Sequence, residues 1–546
     1  MSRWSLKRLG GVLFAIALVN GASVPALCQM AAPTGMVTPS ASTWPRVTQM
    51  AGVRSGYYSA LRRGVFGGRR IRYRAELAEL LVNDRTGKPA ASMFVTSFIA
   101  KAKPSATEHR PVVFLFNGGP GGASNTLMFG AVGPERLQRF DSAALADPEI
   151  ALVPNEETIL DSADLVFIDA PETGFGRTLP GSNPETFRSV DGDSFAFTQV
   201  VLRWLTDYGR LSSPVFLAGE SYGSIRAVML TRDLSMATPR VEVTGILLVS
   251  QALTYNGPES FAIKHLPDPL RAINRLSDIA ALSWYHGLID NQSQTLEEAV
   301  WAAQTFALSD YAPALIAGNR LPEADRARVA ARLAGLTGLP IDVWIAGDLR
   351  LDNVRRQLLS SRNLALAQFD GRDTETLAGV PNDEDRDFQA AERGLTAATE
   401  RFVAETFPAT GLPDYRTIVS DPYGFEKTWA YVKPPAPGAD AVLREQMAAH
   451  PRLRLLVTQG IFDTTCPMGE TDYLFSQLGT GQGRTFFVRY VGGHMLYSDD
   501  TGRRTFLDDM RAFVSGQTVR ARGFPTAIPG TRSTTPAGDS RVSKGS

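Results

Sequence analysis

The run Gly219-Glu220-Ser221-Tyr222-Gly223 constrains this chain more than any other stretch. It has the form G-x-S-x-G, in which a serine sits on a sharp turn between a strand and a helix. The flanks agree. Pro214-Val215-Phe216-Leu217-Ala218 before it is short, apolar and strand-like, and Ile225-Arg226-Ala227-Val228-Met229-Leu230 after it can start a helix. Glycines around the serine suit a tight turn with little room for a Cβ beside a nucleophile. In a chain with 49 glycines the pattern alone is a weak signal, so the other parts of a site must be sought elsewhere.

Further short apolar runs end in turn signals: Val112 to Phe116, Leu165 to Ile168, Val215 to Leu217, Ile246 to Val249 and Leu453 to Val457. Separated by helical stretches, they predict a mostly parallel sheet buried on both faces. Ile71 to Val82 and Ser92 to Ala100 read as antiparallel strands ahead of it. Arg70, Arg72 and Arg74 alternate with Ile71 and Tyr73, which makes them the solvent face of a strand rather than a nucleic-acid patch. Lys+Arg and Asp+Glu both number 56, and this balance also argues against a nucleic-acid binder. At 546 residues, 44% hydrophobic and 21% charged, the chain can form several domains, or one large α/β domain with a sizeable insertion.

The N-terminus reads as a secretory signal peptide over 1–28: Arg3, Lys7 and Arg8 precede the apolar run Gly11 to Val19. Cleavage is expected after Cys28 or Ala31, and Leu27 is bulky for a lipoprotein signal at Cys28. Residues 29–45 are rich in Ala, Pro, Ser and Thr and read as a flexible leader. No later segment reads as a membrane span, so a secreted or periplasmic protein is expected. Cys28 and Cys466 are the two cysteines. Loss of Cys28 leaves no internal disulfide, which suits a bacterial periplasmic protein. Cys466, just past a predicted strand, reads as a structural thiol rather than a rival nucleophile.

The core is expected in two parts, 46–255 and 441–515. Between them, 256–440 reads as a mainly helical insertion, with helices such as Glu323 to Leu336 and Asp385 to Thr406, expected to cap the site. Trp284, Tyr285, Trp301, Tyr311 and Trp344 read as its core. A helical stretch, Ala441 to Ala449, leads back into the sheet. Residues 516–546 are polar and expected to be disordered.

A serine nucleophile needs a base, and the base an orienting acid. In α/β-hydrolases the chain order is Ser, then Asp or Glu, then His. Asp463 follows the strand Leu453 to Val457, and His494 follows the strand Arg484 to Val491 behind two glycines. The other histidines fit less well. His109 precedes the serine, His265 and His286 fall in the insertion, and His450 precedes a strand. Asp499 and Asp500 come after the histidine, in the wrong order for the acid. One oxyanion-hole N–H should come from Tyr222, the other from the loop Asn117-Gly118-Gly119-Pro120-Gly121-Gly122. That loop lacks the spacing and the Lys-Ser/Thr of a phosphate-binding loop.

These segments, with Gly133-Pro134-Glu135, Ala163 to Asp169, Pro171-Glu172-Thr173-Gly174-Phe175 and Gly493-His494-Met495, resemble the serine carboxypeptidase family over roughly 90–255 and 440–515. The resemblance implies an α/β-hydrolase fold: a central, mostly parallel sheet with helices on both faces and a helical cap. It implies Ser221 as nucleophile, His494 as base then acid, Asp463 as its orienting partner, and the N–H groups of Gly119 and Tyr222 as the oxyanion hole. It implies that Asn117 and Glu220 bind the free carboxylate of a peptide substrate. A carboxyl beside a carboxylate must be protonated to donate a hydrogen bond, so binding is expected to favour acid. No cofactor or metal is implied, and the oligomeric state is left open. The sequence departs from the family at Gly122 (often cysteine), Leu115 (often tryptophan) and Ser224 (often glycine). Two further readings stay open: an esterase or acyltransferase using the same triad, and a catalytically silent binding protein on the same fold.

Overall fold

The computed structural model describes residues 56–101, 110–253, 269–351, 353–380, 392–419, 428–430, 437–479 and 483–524. The expected signal peptide and leader, His109 and His265 lie outside them. One sheet of nine strands organises the molecule. Its strands are β1 (Tyr57–Phe66), β2 (Arg69–Asn83), β3 (Pro89–Ala100), β4 (Val112–Phe116), β5 (Asp164–Ile168), β6 (Val215–Glu220), β7 (Val243–Val249), β8 (Arg454–Gly460) and β9 (Thr485–Tyr490). They lie in the order β1-β2-β3-β5-β4-β6-β7-β8-β9. The pairs from β1 through β3 to β5 are antiparallel, and every pair from β5 onward is parallel. This is the α/β-hydrolase arrangement, with the serine turn at the C-terminal end of a central strand.

Side-chain pattern explains the layering. In β4 every residue is buried. Val112, Phe114 and Phe116 face one core, where helices α1 (Val190–Asp207), α2 (Tyr222–Met236) and α7 (Ala439–Ala449) pack. Val113 and Leu115 face the other, which holds α9 (Asp500–Val514) and α6 (Arg393–Thr406). The same division recurs in β8, with Leu455 and Val457 on one side and Leu456 on the other. A strand covered on both faces needs apolar residues throughout, whereas β1 alternates half-buried and exposed positions. Arg70 and Arg72 are exposed on β2 as expected, while Arg74 pairs with the buried Glu76. Phe114 packs edge-on against Trp204, ring centroids 5.5 Å apart. Phe114→Ala should therefore cost about 3–5 kcal/mol, read as a lower denaturant midpoint.

Between β7 and β8, residues from α3 (Pro269–Tyr285), α4 (Leu296–Phe306) and α5 (Glu323–Thr337) build a separate core around Trp284, Tyr311 and Trp344. Trp301 does not join it: its side chain is 67% exposed, because it lies on the outer face of α4. From Arg393 the chain packs into the core of the sheet, through Leu395, Ala398 and Phe402. Ile461, Phe462 and Met468, just past β8, pack into the insertion's core. The polar composition after 516 also misleads in part. Val519 is buried, and Arg522 forms a backbone bridge to Val488 on the edge strand β9.

Candidate active site

The turn after β6 is held by close backbone packing. A Cβ on Gly219 would lie 1.9 Å from the Gly223 carbonyl oxygen, and one on Gly223 would lie 2.7 Å from that of Phe116. No other residue fits either position. Ser221 has φ +57° and ψ −127°, a strained conformation for a non-glycine residue. Its N–H donates to the Val249 carbonyl at 2.9 Å, which ties the turn to β7. Helix α2 starts at Tyr222, so the positive end of its dipole lies beside the serine.

The structure brings Asp463 and His494 together from two strand ends. His494 Nδ1 donates to Asp463 Oδ2 at 2.9 Å. This bond leaves Nε2 as the acceptor, the form a general base needs. The backbone of His494 is fixed as well: its N–H donates to Phe369 O at 2.6 Å, and its carbonyl accepts from Ser250 Oγ at 2.7 Å. The second oxygen of Asp463 accepts from Thr465 N and Cys466 N, both at 2.8 Å. Burial works against a charged His494, but the Asp463 carboxylate beside it holds the imidazole well above its usual range. Ser221, His494, Asn117, Gly119, Glu220 and Tyr222 line one cavity of about 420 Å³, whose wall also includes Arg271, Gln368 and Phe369 of the insertion.

Gly118 lets the glycine loop approach the serine turn. A Cβ there would lie 2.6 Å from Tyr222 N and 2.8 Å from Ser221 Cβ. Gly119 follows with φ +111°. Both expected oxyanion donors therefore belong to segments packed directly on the Ser221 turn.

Glu220 is buried. Its Oε1 accepts from Asn117 Nδ2 at 2.8 Å, and its Oε2 from the Tyr497 hydroxyl at 2.5 Å. Burial pushes its carboxyl up to about 7, against His494 and these two hydrogen bonds, which favour the charged form.

Sequence reasoning missed two neighbours of this group. Tyr497 comes three residues after His494 on the same loop, a spacing that could have flagged it. Cys466 was expected to be a structural thiol, but it lines the cavity, with its sulfur within 4.8 Å of a ring nitrogen of His494. The Asp463 cap on its N–H brings it there. Burial raises the thiol above its usual range, with His494 pulling the other way, so the neutral form dominates near neutral pH. Among the described residues, Asp463, Cys466 and His494 are the group of possible metal ligands, with one atom of each within 4.8 Å of the others. The Asp463–His494 hydrogen bond already engages two of the three.

The other two described histidines, His286 and His450, serve structure. His286 Nε2–H donates to Gly371 O at 2.7 Å, and His450 ends α7. Helix α8 (Met468–Leu478), which follows Cys466, has Pro467 at its N-cap and so lacks a capping side chain of its own. Asp278 of α3 supplies the cap, accepting from Met468 N at 2.6 Å and Gly469 N at 3.0 Å.

Three buried carboxyls share a direction. Burial raises Asp169 to about 6, Glu220 to about 7 and Asp278 to about 8. Each binds its proton more tightly folded than unfolded. Their contribution is therefore fully present below about pH 4 and is lost as pH rises through 6 to 8. Tm at pH 5 is expected to exceed Tm at pH 8.5 by roughly 5 °C in scanning calorimetry.

A family model described as serine carboxypeptidase matches residues 84–307, which include Asn117, Glu220 and Ser221. Two curated relatives, each called carboxypeptidase Y homolog A, come from Arthroderma otae and Podospora anserina. Each is 27% identical over 139 residues, which is 25% of this chain and 24% and 23% of theirs. The matched region spans about a quarter of the relatives' length. Among solved structures, a prohormone-processing carboxypeptidase of Saccharomyces cerevisiae is similar at 14% identity, over 81% of this chain and 91% of that one, with a TM-score of 0.49. Among the described residues no helix is long and apolar enough to cross a membrane.

Proposed function

We propose that this chain, a member of the serine carboxypeptidase family, releases C-terminal residues from peptides through an acyl-enzyme formed on Ser221. The observation that carries this reading is the buried pair Asn117–Glu220 beside the serine, with the Glu220 carboxyl pushed up to about 7. A protonated Glu220 can donate to the terminal carboxylate of a peptide, and Asn117 adds a second polar group. The scissile carbonyl then lies one residue back, within reach of Ser221.

In the proposed reaction Ser221 Oγ attacks that carbonyl as its proton passes to His494 Nε2. Asp463 stabilises the resulting imidazolium. The oxyanion takes hydrogen bonds from the N–H groups of Gly119 and Tyr222. His494 returns the proton to the leaving amine, and the C–N bond breaks. Water, deprotonated by His494, then releases the shortened peptide. Export before this work, after removal of residues 1–28, is part of the same proposal.

The test is mass spectrometry of peptides carrying either a free or an amidated C-terminus, incubated at acid and neutral pH. Stepwise C-terminal trimming is expected. Amidation should slow it by about 10- to 100-fold, because it removes a charge-assisted hydrogen bond. Equal turnover of both peptides would sink the carboxypeptidase reading, and turnover confined to small esters would favour an esterase.

A further inference from the structure

We propose that Arg226 is a positioning residue of the reaction: clamped by Asp193, its guanidinium holds the main-chain carbonyl of Asn117 and so fixes the Gly118–Gly119 loop against the serine turn. The assignment rests on the proposed serine chemistry.

Arg226 lies on α2, five residues past Ser221, and its side chain is 1% exposed. Asp193 of α1 takes two of its donors: Nε to Oδ2 at 2.7 Å and Nη2 to Oδ1 at 2.9 Å. The third, Nη1, donates to Asn117 O at 2.7 Å. Phe197 lies against the guanidinium face, 4.1 Å from the ring centroid, and Phe116 and Tyr222 stand at 5.5 and 5.3 Å. The guanidinium thus has little freedom to turn.

A buried ion pair is a poor source of stability, because desolvation offsets most of the attraction. Apolar side chains would fill the same space at no greater cost. What they could not do is hold a carbonyl oxygen in a fixed direction. That carbonyl is the last feature of the strand end before two residues without side chains. Gly118 and Gly119 can adopt many conformations, and Gly119 has φ +111°. Their peptide groups need anchors on both sides. Gly122 N–H, donating to Gly118 O at 3.0 Å, is the anchor after Gly118. Arg226 is the anchor before it. The side chain of Asn117 is engaged separately, by Glu220 and by Leu127 N–H, so loss of Arg226 should disturb the loop's peptide groups more than the carboxylate clamp.

Arg226 is not among the residues lining the cavity, so its effect should fall on kcat rather than KM. The experiment uses p-nitrophenyl acetate, which has no carboxylate for Asn117 and Glu220 to bind. Wild type, Arg226→Lys and the neutral double variant Asp193→Asn/Arg226→Gln are compared. Active sites are counted by end-point labelling with a fluorophosphonate, and kcat is expressed per labelled site. Oxyanion donors are worth roughly 10²–10³ each, so a donor that is kept but misplaced should cost about 10- to 30-fold in kcat, with KM within about 3-fold. A merely structural role would lower Tm and the number of labelled sites while leaving kcat per site unchanged. An unchanged kcat per site in either variant that folds overturns the proposal. Arg226→Lys keeps the charge beside Asp193 and is the variant expected to fold. Failure of the wild type to be labelled at Ser221 would instead overturn the underlying serine chemistry. Labelling with normal ester turnover but no peptide trimming would count against the carboxypeptidase reading alone.

Discussion

Ser221→Ala is expected to lower kcat by roughly 10⁴-fold or more, with little change in Tm. The size of the effect follows from the division of labour in the site. In the proposed mechanism the Ser221 hydroxyl forms the acyl-enzyme, while the proposed oxyanion donors and carboxylate clamp remain after its removal. Stability should survive because the strain at φ +57° belongs to the backbone. Alanine keeps the same Cβ, and the turn is held by Gly219, Gly223 and the Ser221 N–H bond to Val249. One neighbour makes this more than a routine control. Cys466 lines the same cavity as Ser221 and lies within 4.8 Å of His494, so a thiol and a hydroxyl share one space with the imidazole. The thiol is held neutral by burial, and a neutral thiol is a poor nucleophile. Fluorophosphonate labelling separates the two. Wild type and Cys466→Ala should both be labelled, and Ser221→Ala should not. Persistent labelling of Ser221→Ala would assign the nucleophile to another residue.

The parts of the site legible in the sequence were those fixed by local geometry. A serine between glycines, preceded by β6 and followed by α2, declares its turn through sterics that extend over only five residues. Asp463 and His494 were found because α/β sheets gather chemistry at the C-terminal ends of their strands, and strands are readable from apolar runs. Their 2.9 Å hydrogen bond joins residues 31 apart in sequence. What escaped was set by tertiary packing. Asp193 and Arg226 lie on two helices, 33 residues apart, and each alone reads as an ordinary polar helix residue. Cys466 was judged by its distance from a strand, when the feature that mattered was its place three residues after Asp463, on the turn that the carboxylate caps. Trp301 reads as core by composition, but the rotation of α4 puts it outside. The helical pattern from 256 to 440 hid a division in packing, because helix periodicity says which face is apolar and not which core receives it.

Glu220→Gln is expected to remove the alkaline fall of kcat/KM for peptides while leaving the value near pH 5 within about tenfold. The sign follows from the raised carboxyl. With its midpoint near 7, Glu220 is mostly protonated below that pH and mostly charged above it. Only the protonated form can donate to a substrate carboxylate, and the charged form repels it, so binding of the carboxylate should weaken as pH rises through about 7 and wild-type kcat/KM should fall on its alkaline side. Bound substrate places a second negative charge beside Glu220 and raises its proton affinity further, so kcat should show the fall at higher pH than kcat/KM. His494 sets the other limb, because the imidazolium must lose its proton before it can act as base, and Asp463 makes that loss harder. The charge on His494 also favours the charged form of Glu220, so the two limbs are properties of the pair. Glutamine keeps an oxygen to accept from Asn117 or Tyr497 and offers an N–H to the substrate at every pH. Its alkaline limb should therefore vanish, and above about pH 8 the variant should overtake the wild type on peptides. On an ester without a carboxylate the two proteins should have the same profile, which separates substrate recognition from any effect on the base. An alkaline limb that persists unchanged in Glu220→Gln would strip Glu220 of its role in recognising the C-terminus and reduce it to a brace between Asn117 and Tyr497.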